Sequence, residues 1–324
     1  MHAQLSRLFL ISVLFASNAR SEVTDADGSQ GLSPESRLES LRKYDLDFKK
    51  NFHEMELKAA KEKRVRIAMS EDGRVQGTII EGEIREGDYN VFVETVKSLG
   101  ANYRTVFLRS PGGSAVEAMK IGRLIRKLKM ETNVPWRGRL GCIWQKPAIP
   151  SNCTCASACF LIHIAGIERT GDTVGVHRIY VDHQVLKRAS AAEAAKATSD
   201  IRAMLSTYFG EMGLPAVYTD RVLAIPSNKM EFLEEREIKQ HFSGFIPEYQ
   251  EWITAKCGDP VQLHEQESLI IGKSKFGKKA KTLNDLIRMD KDYEAIALKI
   301  DKAANCTNTI RRTLTSEAFR NTFN

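Results

Sequence analysis

Past its first twenty or so residues, the chain has no long apolar run. A membrane-crossing helix needs about 20 consecutive apolar residues, and no stretch after Ser21 approaches that, which excludes a stable membrane span there. Aromatic residues are scarce at 8%, and none alternate with the densest basic run, Lys273 to Lys281, as a stacking platform for single-stranded nucleic acid would require. The run reads as a solvated basic face. The net charge of +7 is spread along the chain and makes no case for a nucleic-acid partner. The cysteines never fall into two C-x-x-C knuckles, which weighs against a four-thiolate zinc site. No metal, nucleotide or organic cofactor is implied, and no internal repeat or low-complexity tract is evident.

What is present is an ordinary globular composition. With 324 residues and 42% apolar side chains, the chain allows one large domain with extensions, or two domains, around a sizeable core. Arg7, the apolar run Leu8 to Phe15 and the small residues Ser17-Asn18-Ala19 form the three parts of a secretory signal over residues 1–21, with an uncleaved anchor as the alternative. The expected location is therefore periplasmic or secreted. The six cysteines are an even set, and export favours disulfides. Cys257 and Cys306 stand apart and are expected to close the C-terminal extension. Cys142, Cys153, Cys155 and Cys159 are left to pair around one serine in an order the spacing leaves open.

Organisation follows from pattern. Residues 22–34 are polar and acidic, a linker, and residues 35–63 carry Leu38, Leu41, Phe48, Phe52 and Met55 at helix-like spacing. Together, residues 22–64 read as an N-terminal extension. The main domain spans residues 65–247. It opens with strand-like runs at 66–69 and 76–80 around the turn signal Glu71-Asp72-Gly73, followed by a helix at 89–99. A short apolar strand at 105–109 closes in Ser110-Pro111-Gly112-Gly113, and Ile121, Leu124, Ile125 and Leu128 then mark one helical face. Strand, glycine turn and helix begin a parallel crossover unit, so the fold class is α/β. Ser190 and Glu193 form a capping-box pattern opening a helix through about Met212. Residues 248–324 read as an accessory extension with helix-like segments at 283–288 and 293–303.

The chemistry concentrates at Cys155-Ala156-Ser157-Ala158-Cys159, at the head of an apolar helix. A serine hydroxyl needs a base to take its proton and amide donors to hold the oxyanion. His177 ends the β-branched strand Thr173-Val174-Gly175-Val176, and Gly112 and Gly113 allow the backbone to approach a substrate and present N–H groups at a helix start. Each feature has a plainer reading. Ser157 is a good N-cap, a strand followed by Pro-Gly-Gly is a tight turn, and a lone strand-end histidine is structural. His163, on the buried helix, reads as a hydrogen-bonded core residue, and His183 is the fallback base.

In order and placement, these motifs resemble the proteolytic subunit of the Clp protease, within the wider crotonase-like superfamily, and are most like its secreted relatives. The resemblance covers roughly residues 65 to 247. It implies a crotonase-like spiral of βαβ units with Ser157 as nucleophile, His177 as general base, and amides of Gly112, Gly113 and Ala158 as oxyanion donors. Substrates would be peptides or unfolded proteins. In that family the helix corresponding to the one after Ser190 mediates ring assembly, so homo-oligomerisation is an expectation. The chain departs from the pattern twice. The loop from Pro135 to Asn152, with Trp136 and Trp144, is longer than the family's connection and reads equally as a groove lining or a disulfide-held cover. Where the family has its third catalytic residue, an aspartate, this chain has Met230. Orientation of His177 then falls to Asp220, to Glu231 or to a backbone carbonyl. Losing such a carboxylate costs about 10⁴-fold in turnover when tautomer control goes with it. The expectation is an exported serine peptidase. The alternatives are a catalytically silent binding or assembly module of the same fold and, more remotely, an acyl-CoA enzyme of the superfamily.

Overall fold

The computed structural model describes residues 61–70, 74–138, 141–142, 153–179, 186–226, 228–275 and 283–323, with scattered helical residues between 39 and 58. The signal segment, the acidic linker, Gly73 of the first turn, Trp144, His183 and most of the loop before Cys153 lie outside the described residues. The chain divides into two units, residues 1–51 and 52–324. In the first, Glu39, Arg42, Lys43 and Lys50 are helical and exposed. Everything below concerns the second.

Its frame is a six-stranded sheet in the order β1-β2-β3-β4-β8-β11. These are β1 (Val65–Met69), β2 (Val75–Glu81), β3 (Thr105–Arg109), β4 (Glu131–Asn133), β8 (Glu168–Thr170) and β11 (Gly244–Phe245). The inner pairs β2–β3, β3–β4 and β4–β8 are parallel, and the two edge pairs are antiparallel. Parallel strands need crossover connections. Helices α1 (Asp88–Leu99) and α2 (Ala115–Lys127) supply the first of them, each burying one apolar face. The chain is a mixed α/β protein. A hairpin, β5 (Arg137–Gly138) with β6 (Gly141–Cys142), follows β4.

A second, three-stranded sheet holds the strands that lead to Ser157 and His177. Its order is β10-β9-β7, with β7 (Cys155–Ala156), β9 (Val174–Val176) and β10 (Glu231–Phe232). Strands β7 and β9 run parallel, while β10 runs antiparallel to β9. A parallel bridge between Ser110 and Cys155 ties this sheet to the end of β3.

From β7 the chain enters α3 (Ala158–His163), buried on every side. Such a helix must be gripped all round, and it is. Tyr208, fully buried on α4 (Ala191–Glu211), donates its hydroxyl to the Leu161 carbonyl at 2.7 Å. Gly122 lets α4 approach, since a Cβ there would stand 1.9 Å from the Tyr208 hydroxyl. Phe160 meets Phe209 and Phe242 edge-to-face at 6.1 and 5.3 Å. Arg126 donates to the carbonyls of Ile164 and Ala165, satisfying the helix C-terminus. His163 is buried between Thr132 and the Phe242 carbonyl, to which its Nε2–H donates at 3.2 Å. Burial, the largest influence, pushes its pKa down to about 3, so the ring is neutral.

The capping box at Ser190 and Glu193 forms as the pattern requires, and the first half of α4 is exposed. Beyond α5 (Val217–Ala224), a short helical stretch over Glu235–Glu237 and Ile238–Phe242 leads on to α6 (Pro247–Cys257), α7 (Pro260–Lys275) and α8 (Leu283–Phe323). The two helix-like segments read near the C-terminus are parts of this one 41-residue helix. Cys257 and Cys306 form a disulfide between α6 and α8, in agreement with the spacing. Phe319 and Phe323 pack against the core. Arg311 lies 4.9 Å over the Phe245 ring, 3.7 Å from Glu131, and in an ion pair with Glu168. Among the described residues no helix is long and apolar enough to cross a membrane.

Candidate active site

The two parallel strands β7 and β9 end side by side. Ala156 pairs with Gly175, and neighbouring strands lie about 4.8 Å apart. One step further, Ser157 leaves β7 and Val176 leads directly to His177. The serine and the histidine therefore emerge at the same sheet end, each partly exposed.

Ser157 does not act as a helix cap. Its side chain makes no capping hydrogen bond, and its backbone sits at φ 57°, ψ −123°. That is the geometry of the first central residue of a type II′ turn, where glycine is the usual occupant. Among the described non-glycine residues only Lys129 shares a positive φ. A serine held there at a sharp strand-to-helix turn is the arrangement that exposes a nucleophile above its sheet. Strain of this kind persists only where the surroundings over-determine it.

Those surroundings include Gly112. A Cβ on Gly112, which itself sits at φ 109°, would lie 2.6 Å from the Ser157 Cβ, 2.8 Å from the Ala156 carbonyl and 3.0 Å from the Ala158 nitrogen. The glycine is required because any side chain would fill the space in front of Ser157 and the Ala158 amide beside it. Backbone bonding then sorts the possible oxyanion donors. The Gly112 N–H is occupied, donating to the Ser110 hydroxyl at 3.0 Å. The Ser157 N–H is likewise spent on the Gly175 carbonyl at 2.9 Å. Among the described residues the N–H groups of Gly113 and Ala158 have no acceptor. Ala158 is the first residue of α3, where an unspent N–H is the rule and the helix dipole favours an anion. Gly113 is held by its flanks: Ile84 N–H donates to the Gly112 carbonyl at 2.7 Å, and Ser114 N–H donates to the Ile84 carbonyl at 2.8 Å.

His177 donates its Nδ1–H to the Arg178 carbonyl at 2.8 Å. In the neutral ring this bond leaves the lone pair on Nε2, the tautomer a general base needs. The residues weighed for that orienting role lie elsewhere. Asp220, on α5, is exposed and ion-paired with Arg202. Glu231 stands opposite Val176 in the β9–β10 register, but its carboxylate pairs with Arg221, which also binds Glu237. Continued one step, that register sets Met230 beside His177. The Met230 sulfur would lie 2.9 Å from a Cβ on Gly175, so the thioether covers β9 where a carboxylate was expected. No pattern in the sequence points to the Arg178 carbonyl, because a backbone acceptor belongs to every residue.

Cys155 and Cys159, both fully buried, form a disulfide that brackets Ser157. Cys153 is also disulfide-bonded, outside the two pairs described. Disulfides persist in oxidising compartments.

No family model matches the chain, and no curated protein matches it. Among solved structures it is similar to a mutant of ClpP1 from Listeria monocytogenes at 17% identity, over 51% of this chain and 85% of that one, with a TM-score of 0.35. It is also similar to a mutant of the 1510-N membrane-bound stomatin-specific protease, at 18% identity over 56% of this chain and 83% of that one, with a TM-score of 0.35.

Proposed function

We propose that this chain is an exported serine peptidase with a crotonase-like core, hydrolysing peptide bonds in peptides or unfolded proteins. Ser157 Oγ attacks the scissile carbonyl as His177 Nε2 takes its proton. The tetrahedral oxyanion is held by the N–H groups of Gly113 and Ala158. Collapse breaks the C–N bond, the departing amine takes the proton from His177, and an acyl-enzyme remains. Water, deprotonated by the same imidazole, then attacks the ester, releasing the acid and returning the proton to Ser157. The orienting role weighed for Asp220 and Glu231 passes to the Arg178 carbonyl. A carbonyl fixes the tautomer without contributing a negative charge, which favours modest turnover.

The observation that carries this reading is the positive φ of Ser157 beside two unspent amides. Such a conformation at a non-glycine residue costs on the order of 1–3 kcal/mol and clusters at active sites. Met230, standing where the resemblance expects an aspartate, favours the second reading, a silent module of the same fold. A fluorophosphonate probe separates the two. Labelling of the full chain that Ser157→Ala abolishes supports the peptidase, and absence of labelling in the unsubstituted protein supports the silent module. Ring assembly through the exposed half of α4 belongs to the same proposal, and light scattering that returns a monomer at micromolar concentration removes it.

A further inference from the structure

We infer that the Cys155–Cys159 disulfide is a positioning clamp for Ser157, fixing the nucleophile's backbone without consuming an amide. The inference rests on the peptidase reading for its purpose, but not for its geometry. The ring it closes contains five residues, with Ser157 at the centre. On the strand side of the turn, hydrogen bonds already hold the chain. Cys155 N–H donates to the Thr173 carbonyl, Ala156 N–H to the Ser110 carbonyl and Ser157 N–H to the Gly175 carbonyl, at 2.9, 3.0 and 2.9 Å.

The helix side has a different problem. Its first backbone bond runs from Phe160 N–H to the Ser157 carbonyl at 3.0 Å, leaving Ala158 in between. A hydrogen bond at the Ala158 N–H would fix the turn but remove an oxyanion donor. A covalent link from β7 to the first turn of α3 fixes the turn and leaves that donor available. Gly112, which a Cβ would drive into Ser157 and Ala158, closes the remaining side.

Both sulfurs belong to residues with no exposed surface, so a thiol reductant has no approach in the folded state. The bond is a permanent part of the site, not a redox switch. Its short ring also removes little freedom from the unfolded chain compared with the ring closed by Cys257 and Cys306. What sets this bond apart is the residue it encloses, Ser157, and not the size of its ring.

The test uses the folded full chain and two readouts. Fluorophosphonate labelling of the Cys155→Ala/Cys159→Ala variant is expected to be slower than wild type by about tenfold or more, the scale of misplacing a nucleophile. The Cys257→Ala/Cys306→Ala variant should label at the wild-type rate while losing thermal stability. A Cys155→Ala/Cys159→Ala variant that is folded and labels at the wild-type rate overturns the clamp and leaves the peptidase reading intact. If the wild-type protein does not label, the peptidase reading fails and a second readout decides the clamp alone. There, the fall in melting temperature on removing Cys155 and Cys159 is measured with and without Ser157→Gly, a substitution that relieves the positive φ. A smaller fall in the Ser157→Gly background, or recovery of folding there, supports the clamp. Equal falls, or loss of folding in both backgrounds, overturn it.

Discussion

The elbow at Ser157 and the C-terminal helix α8 are each stapled by a disulfide, and they are held by opposite kinds of force. The elbow's cysteines are 4 residues apart and those of the extension 49. Chain entropy assigns about 2 kcal/mol to the first ring and about 4 kcal/mol to the second. Around Ser157 the partners are apolar packing and spent backbone hydrogen bonds. Where α8 meets the body, they are Arg311 between Glu131 and Glu168, the Thr315 hydroxyl donating to the Lys129 carbonyl, and two phenylalanines. A conformation that must not drift is built from groups that are neutral in the folded state. A long helix that only has to stay docked uses charges as well.

The sharpest way to break this contrast is to remove the strain itself. Ser157→Gly should abolish probe labelling and lower any peptidase turnover by about 10³-fold or more. It should also stabilise the fold by about 1 kcal/mol, because glycine adopts positive φ without the steric penalty. Urea denaturation read beside labelling checks both. Loss of stability together with loss of labelling would mean that the turn is not strained and that the serine side chain serves the fold.

Next in size is the staple of the extension. Cys257→Ala/Cys306→Ala should cost about 4 kcal/mol in urea denaturation, with the labelling rate of the folded fraction unchanged. A parallel loss of labelling would show that α8 reaches the site energetically, and the separation of the two regions would fall.

The pH response should separate them in opposite directions. Burial, the largest influence, raises Glu168 to about 7 against its ordinary 4.5, with the nearby Arg311 cation opposing the rise. The folded state therefore keeps this proton longer than the unfolded one. Its contribution is complete below about pH 4.5 and is lost as pH rises through about 7. His163, inside the elbow helix and held near 3, runs the other way. Its contribution is complete above about pH 6.5 and is lost as pH falls. At pH 5 the histidine should cost about 2 kcal/mol and at pH 7 the carboxyl about 3 kcal/mol. Glu168→Gln should flatten the alkaline side of a stability–pH curve, and His163→Gln the acid side. If both substitutions flatten the same side, the division between a neutral elbow and a titrating dock is wrong.

The elements were legible wherever local pattern and tertiary demand agreed. The strand at 105–109, the amphipathic face of Ile121 and Leu128, the capping box at Ser190 and the helix buried all round after Ser157 are each written in a few neighbouring residues. What escaped the sequence depends on partners distant along it. That Ser157 is a strained elbow and not a cap follows from Gly175, Ser110 and Gly112 around it. That Gly113 and not Gly112 keeps a free amide depends on where the Ser110 hydroxyl turns. Of the cysteine pairings, Cys257–Cys306 stood out by isolation, while Cys155–Cys159 was one of several arrangements that spacing alone could not rank.

The smallest expected effect is the most discriminating for mechanism. Asp220 is exposed and faces Arg202, and Glu231 is committed to Arg221, so neither stands at the His177 ring nitrogen that donates to the Arg178 carbonyl. Exposed ion pairs of this kind contribute about 0–1 kcal/mol. Asp220→Asn and Glu231→Gln should therefore each leave the labelling rate within about twofold, against the loss of about 10⁴-fold seen when a carboxylate that fixes the histidine tautomer is removed. A fall toward that size in one variant would mean that its carboxylate swings to His177 when substrate binds. The elbow would then depend on a titratable group after all, and the contrast with the C-terminal helix would hold for the resting protein alone.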